Sequence, residues 1–151
     1  MSIRSCVSTA VVALVCSVYV DAAPAGRLIE MTANDQMKFS VMTITAKPGE
    51  LIHVRLKNVG TLPKNVMGHN FVLLAKGTDA TAFAGAAATA AATAYIPATM
   101  KAKVVASTPL TGPGETVDVT FAAPKVAGQY TYLCSFPGHF LAGMKGVLTV
   151  K

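Results

Sequence analysis

The sequence is poor in charge and contains no tryptophan. Only 13% of its 151 residues are charged and 52% are hydrophobic. Disordered chains are polar and rich in charge, so this composition argues against a disordered chain. The length suffices for one domain with a core and is too short for two ordinary ones. No internal repeat or linker divides the chain. The net charge is +6, but no two of the 13 lysines and arginines are adjacent. Such scattered charge favours solubility and the steering of an acidic partner, and it does not form the basic patch of a nucleic-acid-binding protein.

The first residues have the layout of a secretory signal peptide. Arg4 precedes an apolar run from Val7 to Val20, and small residues follow, with Ala22 at the end of a possible cleavage site. The run is shorter than the ~20 residues that a membrane-spanning helix needs. We therefore expect residues 1–22 to be a signal peptide and residues 23–151 to be a single domain, periplasmic or otherwise exported. A membrane contact is expected only if the N-terminal segment stays uncleaved and acts as an anchor.

Cysteine is scarce once that segment is removed. Cys6 and Cys16 leave with it, and Cys134 remains alone. A lone cysteine in an exported protein cannot form an internal disulfide, so it pairs between chains, stays free or binds something. Because an exposed free thiol would be a liability in an oxidising compartment, a role as metal ligand is chemically sensible.

Apolar and polar residues alternate along most of the remaining chain. In the runs Leu51–Leu56 and Thr116–Phe121 every second residue is apolar, as in strands with one buried face. Turn sequences such as Pro48-Gly49 and Gly112–Gly114 separate the runs. Further strands are expected over about 27–31, 38–45, 70–75, 102–106, 129–134 and 144–150. Several short strands with turns between them predict an all-β sandwich or barrel.

One segment breaks this period. Residues 79–95 are rich in alanine, which favours helix, while interspersed threonines and Gly85 weaken that preference. We expect a short, partly helical flap on the side of the sandwich, and the alternative is a flexible low-complexity loop. His53 lies in an expected strand with no partner motif and is expected to be a surface residue.

Three potential metal donors stand close together near the C-terminus. Cys134, His139 and Met144 lie within eleven residues, so one loop between two strands can bring them to one point, while His69 comes from a distant strand start. A thiolate and two imidazoles suit copper or zinc, and a weak thioether nearby is typical of a trigonal copper site that transfers electrons. Each residue alone has an ordinary structural role. The spacing Cys-x4-His-x4-Met together with an upstream Gly-His-Asn favours a metal site.

Neighbouring residues are expected to support these donors. Asn70 can buttress the Cys134 loop, and backbone N–H groups near Phe136 can donate to the thiolate. Apolar residues around the donors predict an exposed docking patch, formed by Leu62, Val66, Met67, Pro137 and Phe140. The alternative is that these residues close the end of the sandwich and keep water from the metal.

The segments LPKNVMGHNFVL and YLCSFPGHFLAGMKGVLTVK resemble the cupredoxins, the type 1 blue copper proteins, and among them the azurins and auracyanins. The resemblance covers nearly all of residues 23–151 and implies an all-β Greek-key sandwich of about eight strands with a short helical flap. It implies one type 1 copper ion ligated by His69, Cys134 and His139, with weak axial contacts from Met144 and the Gly68 carbonyl. It also implies single-electron exchange with redox proteins such as c-type cytochromes, oxidases or copper reductases.

Departures from the azurins leave the subfamily open. Residues 23–151 lack the second and third cysteines of the usual disulfide, and Phe71 stands where tryptophan is common. Other functions fit less well. A copper enzyme of this fold needs a second copper domain, a Cys–His hydrolase needs an orienting third group and an open pocket, and copper carriers usually expose Met or His clusters. We therefore expect electron transfer without catalysis.

Overall fold

The computed structural model describes residues 26–151, which form a sandwich of two β-sheets. Its nine strands are β1 (Arg27–Asn34), β2 (Lys38–Phe39), β3 (Thr43–Ala46), β4 (Leu51–Asn58), β5 (Val72–Leu74), β6 (Val104–Ser107), β7 (Thr116–Ala122), β8 (Gly128–Leu133) and β9 (Lys145–Val150). The four-stranded sheet has the order β2-β1-β4-β7, and the five-stranded sheet has the order β3-β9-β8-β5-β6. Parallel pairs, β1 with β4 and β3 with β9, make both sheets mixed. The signal peptide expected over residues 1–22 lies outside the described residues.

The alternating sequence pattern becomes the inner face of the four-stranded sheet. In β4, Ile52, Val54 and Leu56 are completely buried. His53 and Arg55, between them, point to the outer face. Burying an aliphatic side chain of this size contributes about 1.5–3 kcal/mol, so the pattern fixes which face of β4 meets the core. The prediction of an all-β sandwich is confirmed.

Aromatic side chains fill the space between the sheets. Tyr132 of β8 packs against Phe71 and Phe39, with ring centroids 5.1 and 6.0 Å apart. Its hydroxyl donates to the Val41 carbonyl at 2.7 Å, and burial raises its pKa. Gly146 of β9 pairs with Tyr132 across the sheet. A Cβ atom at this glycine would overlap the tyrosine ring, so the ring occupies space that only glycine leaves free.

The segment expected as one strand over residues 38–45 is divided in the structure. Its first part, β2, pairs with β1 in one sheet, and its second part, β3, pairs with β9 in the other. The chain therefore passes from one sheet to the other between Phe39 and Thr43, and this crossing interrupts the strand. This crossing explains why nine strands are present where about eight were expected.

The alanine-rich flap is partly helical, as predicted. The described helices are α1 (Lys64–Met67), α2 (Ala80–Ala87) and two 3₁₀ segments, Ala91–Thr93 and Ala98–Lys103. Asp79 caps α2, since its carboxylate accepts from the N–H groups of Thr81 and Ala82. Phe83 and Ala87 bury one side of α2 against the five-stranded sheet.

No helix within residues 26–151 is both long and apolar enough to cross a membrane.

His53 has a partner that the sequence did not reveal. Its Nε2 lies 2.6 Å from Oδ1 of Asp118, and the same oxygen accepts from Nε of Arg55 at 2.9 Å. The antiparallel register of β4 and β7 sets Arg55 opposite Asp118, and His53 lies two residues before Arg55 on the same face of β4. His53 lies on the outer face of β4, as expected, and its contact with Asp118 comes from the strand pairing.

Gly146→Ala is expected to destabilise the protein. The added Cβ would overlap the Tyr132 ring and lie 2.6 Å from the Met42 carbonyl oxygen, and overpacking of this kind costs about 1–3 kcal/mol. Gly85→Ala is the matched control, because a Cβ added to this exposed residue of α2 meets nothing within 4 Å, and replacing a helical glycine stabilises by about 0.5–1 kcal/mol. Urea unfolding measures both variants. Equal stabilities would contradict the packing described for Tyr132.

Candidate metal centre

Three potential metal ligands meet at one end of the sandwich. His69 precedes β5, Cys134 follows β8 directly, and His139 lies in the loop between β8 and β9. Two backbone hydrogen bonds of 3.0 and 2.8 Å join His69 to Thr111. The Cys134 N–H donates to the Met144 carbonyl at 3.1 Å and closes the loop that carries His139. Strand pairing and one short loop thus bring together His69 and Cys134, which are 65 residues apart in the sequence.

The donor atoms have the separations that a single metal ion requires. The Cys134 sulfur lies 4.0 Å from Nδ1 of His69 and 3.4 Å from Nδ1 of His139. All three donor atoms lie within 4.8 Å of one another. Bonds of about 2.0–2.1 Å to nitrogen and about 2.3 Å to sulfur would place sulfur and nitrogen roughly 3.8 Å apart in a trigonal site. The two observed separations lie on either side of that value.

Burial prepares these three side chains for a cation. It lowers the pKa of His69 to about 4, and that of His139 also to about 4, with repulsion from His69 adding to the second shift. Both imidazoles are therefore neutral at neutral pH, and their lone pairs are available. Burial raises the pKa of Cys134 to about 12, while the backbone N–H groups of Asn70 and Phe136 oppose the rise. A bound metal ion would displace the thiol proton.

The donor set also limits which metal fits. One thiol and two imidazoles, without any carboxylate among the described ligating groups, suit copper or zinc rather than magnesium or calcium. The second ring nitrogen of His69, Nε2, is buried and makes no hydrogen bond of ordinary geometry. The Asn34 carbonyl is close enough to this ring to oppose the lowering of the His69 pKa.

The thiol and the two imidazoles together fit a type 1 copper ion.

The whole described chain matches one family of known proteins. A sequence model of the copper-binding proteins of the plastocyanin/azurin family matches residues 26–151. Azurin-1 of Alcaligenes xylosoxydans xylosoxydans is 42% identical over 123 residues, which cover 80% of this chain and 94% of the azurin. The chain belongs to the plastocyanin/azurin family.

Solved structures agree with the sequence matches. Reduced auracyanin of the photosynthetic bacterium Roseiflexus castenholzii superimposes with a TM-score of 0.74 at 32% identity, covering 85% of this chain and 99% of the auracyanin. Auracyanin A, a blue copper protein of Chloroflexus aurantiacus, gives a TM-score of 0.73 at 35% identity over 84% of this chain and all of that chain. With the His-Cys-His geometry, these similarities make the protein a type 1 copper electron-transfer protein.

Met144 and Gly68 lie next to the three donors of this cupredoxin. Met144 is completely buried, and its N–H donates to the His139 carbonyl at 2.9 Å. The Gly68 carbonyl oxygen lies 4.0 Å from the Cys134 sulfur. A Cβ on Gly68 would stand 2.5 Å from the Lys64 carbonyl oxygen. Only glycine therefore lets the chain leave α1 and place this carbonyl beside the sulfur.

Asn70 and Phe136 lie where the sequence predicted support for the cysteine. Asn70 is completely buried, and its Oδ1 accepts from the Ser135 N–H at 2.9 Å. The ring of Phe136 packs against the His139 ring, with centroids 4.7 Å apart. Both residues also direct backbone N–H groups to the Cys134 sulfur. Their contacts tie the cysteine, its following residue and one histidine into a single unit.

The residues of the expected docking patch differ in exposure. Leu62 and Val66, on either side of Pro63 and Lys64, are exposed, and Met67 is half-buried. Pro137 is also half-buried. Phe140 differs from the expectation, because it is only 7% exposed and packs into the cluster beneath the flap. The neighbouring Leu141, 79% exposed, presents the apolar surface of this loop instead.

The sequence interpretation missed the residues that position the ligands by non-local contacts. Thr111 pairs with His69, and Ser135 bonds to Asn70. Asp35 accepts hydrogen bonds from the Thr61 N–H and hydroxyl at 2.8 and 3.0 Å and so holds the segment before α1. A side chain that acts by accepting bonds from a distant turn leaves no periodic pattern, so no signal in the sequence reveals it.

Cys134→Ser is expected to abolish the intense visible absorption of the oxidised, copper-loaded protein, because the thiolate is the soft donor of the site. Optical spectra after addition of one equivalent of copper test this. His53→Gln is the control, since it removes a histidine that lies on the outer face of β4, and it should keep the full colour. A Cys134→Ser spectrum like that of the unchanged protein would disprove the assignment of the thiolate.

Proposed function

We propose that His69, Cys134 and His139 hold the copper ion and that Met144 and the Gly68 carbonyl make weak axial contacts. Bound copper supplies a one-electron Cu(II)/Cu(I) couple. The observation that carries the proposal is the convergence of three buried donor atoms within 4.8 Å. Backbone hydrogen bonds to Thr111, Met144 and Phe136 hold His69, Cys134 and His139 respectively. The same donor arrangement can therefore serve both oxidation states.

The protein is proposed to carry electrons without catalysing a reaction of its own. A catalytic metal site keeps an open position for substrate, whereas His69 and Cys134 are completely buried and His139 is 2% exposed. Surface cavities of about 390, 190 and 230 Å³ are lined by residues other than these three ligands. Burial of this kind suits electron transfer, since an electron needs no path wide enough for a molecule.

The docking surface is proposed to lie beside α1 at the copper end. Leu62, Val66, Met67 and Pro137 supply its apolar area, whereas Phe140 is buried in the cluster beneath the flap. None of the four residues of α1 is buried, and the side chain of Val66 is 55% exposed. A modest apolar surface near the ligand loop suits a weak, transient redox encounter, which needs only a small interface.

Two ammonium groups beside the ligand loop favour an acidic partner. Nζ of Lys38 donates to the Ala142 carbonyl at 3.0 Å, and Nζ of Lys145 lies 4.7 Å from the centre of the Phe140 ring. Neither ammonium pairs with a carboxylate among residues 26–151. We propose c-type cytochromes, oxidases or copper reductases with an acidic surface as partners, and their association should weaken with salt.

The protein is proposed to be exported from the cytoplasm. The apolar run before Ala23, the lone cysteine left after its removal and membership of the plastocyanin/azurin family support a periplasmic or otherwise extracytoplasmic location. Mature protein is proposed to begin near Ala23. The intact mass of protein purified from its native host tests this, and a mass that includes Met1 would refute it.

Met144→Leu is expected to leave copper bound and to raise the reduction potential by tens of millivolts. The thioether donates weakly to copper and favours Cu(II), and ~1 kcal/mol of lost preference corresponds to roughly 43 mV for one electron. Protein-film voltammetry measures the shift. Met31→Leu is the matched control, because Met31 is a buried core methionine of β1. If both variants have the same potential, Met144 serves only as core.

Met67→Lys is expected to preserve the visible spectrum and to slow electron exchange at least about tenfold. Self-exchange would bring two like charges together, and docking of any partner would take an unpaired ammonium out of water at an apolar contact. Self-exchange is measured by NMR line broadening, and exchange with a c-type cytochrome is measured by stopped flow.

The control for this variant is Val126→Lys. Val126 is an exposed apolar residue in the loop that leads into the start of β8, and Cys134 follows the other end of that strand. The Val126→Lys variant therefore carries the same added charge far from the copper. Equal exchange rates for the two variants, with both copper sites intact, would mean that electrons leave elsewhere.

A further inference from the structure

The flap reaches residues that contact the copper ligands through a turn at Ala94 and Tyr95. Both residues have positive φ, 52° and 62°, a conformation that side chains with a Cβ rarely adopt. The Ala94 N–H bonds to the Ala91 carbonyl and the Tyr95 N–H bonds to the Ala90 carbonyl, which is the pattern of a Schellman motif. That motif accounts for one left-handed residue, Ala94. It does not account for the second, Tyr95.

A polar contact links this turn to the cysteine loop. Nδ2 of Asn70 donates to the Ala94 carbonyl at 3.0 Å and to the Ser135 hydroxyl at 2.9 Å, while Oδ1 accepts from the Ser135 N–H. One fully buried amide therefore joins the strand of His69, the residue after Cys134 and the end of the flap. An amide in this position is rigid only while each of its partners stays in place.

An aromatic contact forms the second link. The Tyr95 ring meets the Phe136 ring edge-on, with centroids 4.9 Å apart and an interplanar angle of 61°. Phe136 in turn packs on the His139 ring at 4.7 Å. Its backbone N–H points to the Cys134 sulfur. The unusual backbone conformation of Tyr95 thus puts an aromatic ring against Phe136, a residue that contacts two of the ligands.

We propose that the Ala94–Tyr95 turn is a positioning device for the copper site, which holds the Ser135-Phe136 segment so that the Phe136 N–H stays directed at the Cys134 sulfur. Tyr95 is a positioning residue, because it acts through Phe136. Backbone strain persists only where surrounding contacts fix it, and it concentrates at functional sites. The role rests on the proposal that Cys134 and His139 bind copper.

Tyr95→Leu tests this role. Leucine keeps the position apolar and removes the ring edge, so the Phe136 N–H should open to solvent about two- to tenfold more often. A weaker hydrogen bond leaves more electron density on the thiolate, which favours Cu(II), so the reduction potential should fall and the visible band should shift. Amide exchange is measured by NMR on the copper(I) protein and on the apoprotein.

Two further variants make the result specific. Tyr95→Phe keeps the ring and should restore the original potential and exchange rate. Met100→Ala loosens the same flap, because Met100 packs against the cluster beneath α2, but it should change neither quantity. If Tyr95→Leu behaves like Met100→Ala and lowers only the stability, the turn is structural and the positioning role is refuted. Exchange in the apoprotein tests the contact even if the ligand assignment fails.

Discussion

The structure depends on keeping one thiol and two imidazoles buried together without a compensating charge. Burial alone would hold Cys134 protonated and both histidines neutral, and three polar groups would remain poorly paired in an apolar end of the sandwich. A cation resolves this cost, because it replaces the thiol proton and accepts both nitrogen lone pairs. The surrounding contacts therefore have one task, which is to keep the donor atoms at 3.4–4.0 Å from the sulfur whether or not an electron has just arrived.

Sequence spacing predicts a site well when its donors are local. The segment from Cys134 to Met144 joins two neighbouring strands, β8 and β9, so its three donors must converge whatever the rest of the chain does. His69 was recognisable only because Gly68 and Asn70 flank it in a pattern that resembles the cupredoxins. Its placement depends on the pairing with Thr111, which no local pattern encodes. The resemblance thus supplied the part of the site that periodicity and spacing could not.

Other features were not predictable from the sequence for the same reason. Alternation over residues 38–45 is equally good for one strand or two, and only the partners, β1 and β9, decide that the chain changes sheets. His53 meets Asp118 because of the β4–β7 register. Phe140 and Leu141 are adjacent apolar residues, and Phe140 is covered by residues of the flap and the five-stranded sheet while Leu141 stays exposed. Composition indicated a flap there but could not indicate what it covers.

The contacts of the copper end divide into two groups. On one side, α1 and the loop held by Asp35 and Thr111 carry the exposed apolar residues proposed to meet a partner. On the other, the flap reaches Phe136 and Asn70 through Tyr95 and Ala94. Residues more than about 7–10 Å apart that share no partner usually act additively. Substitutions within α1 that adapt the docking surface to a new partner therefore need not disturb the contacts that set the potential, whereas a substitution at Pro137, next to Phe136, would affect both.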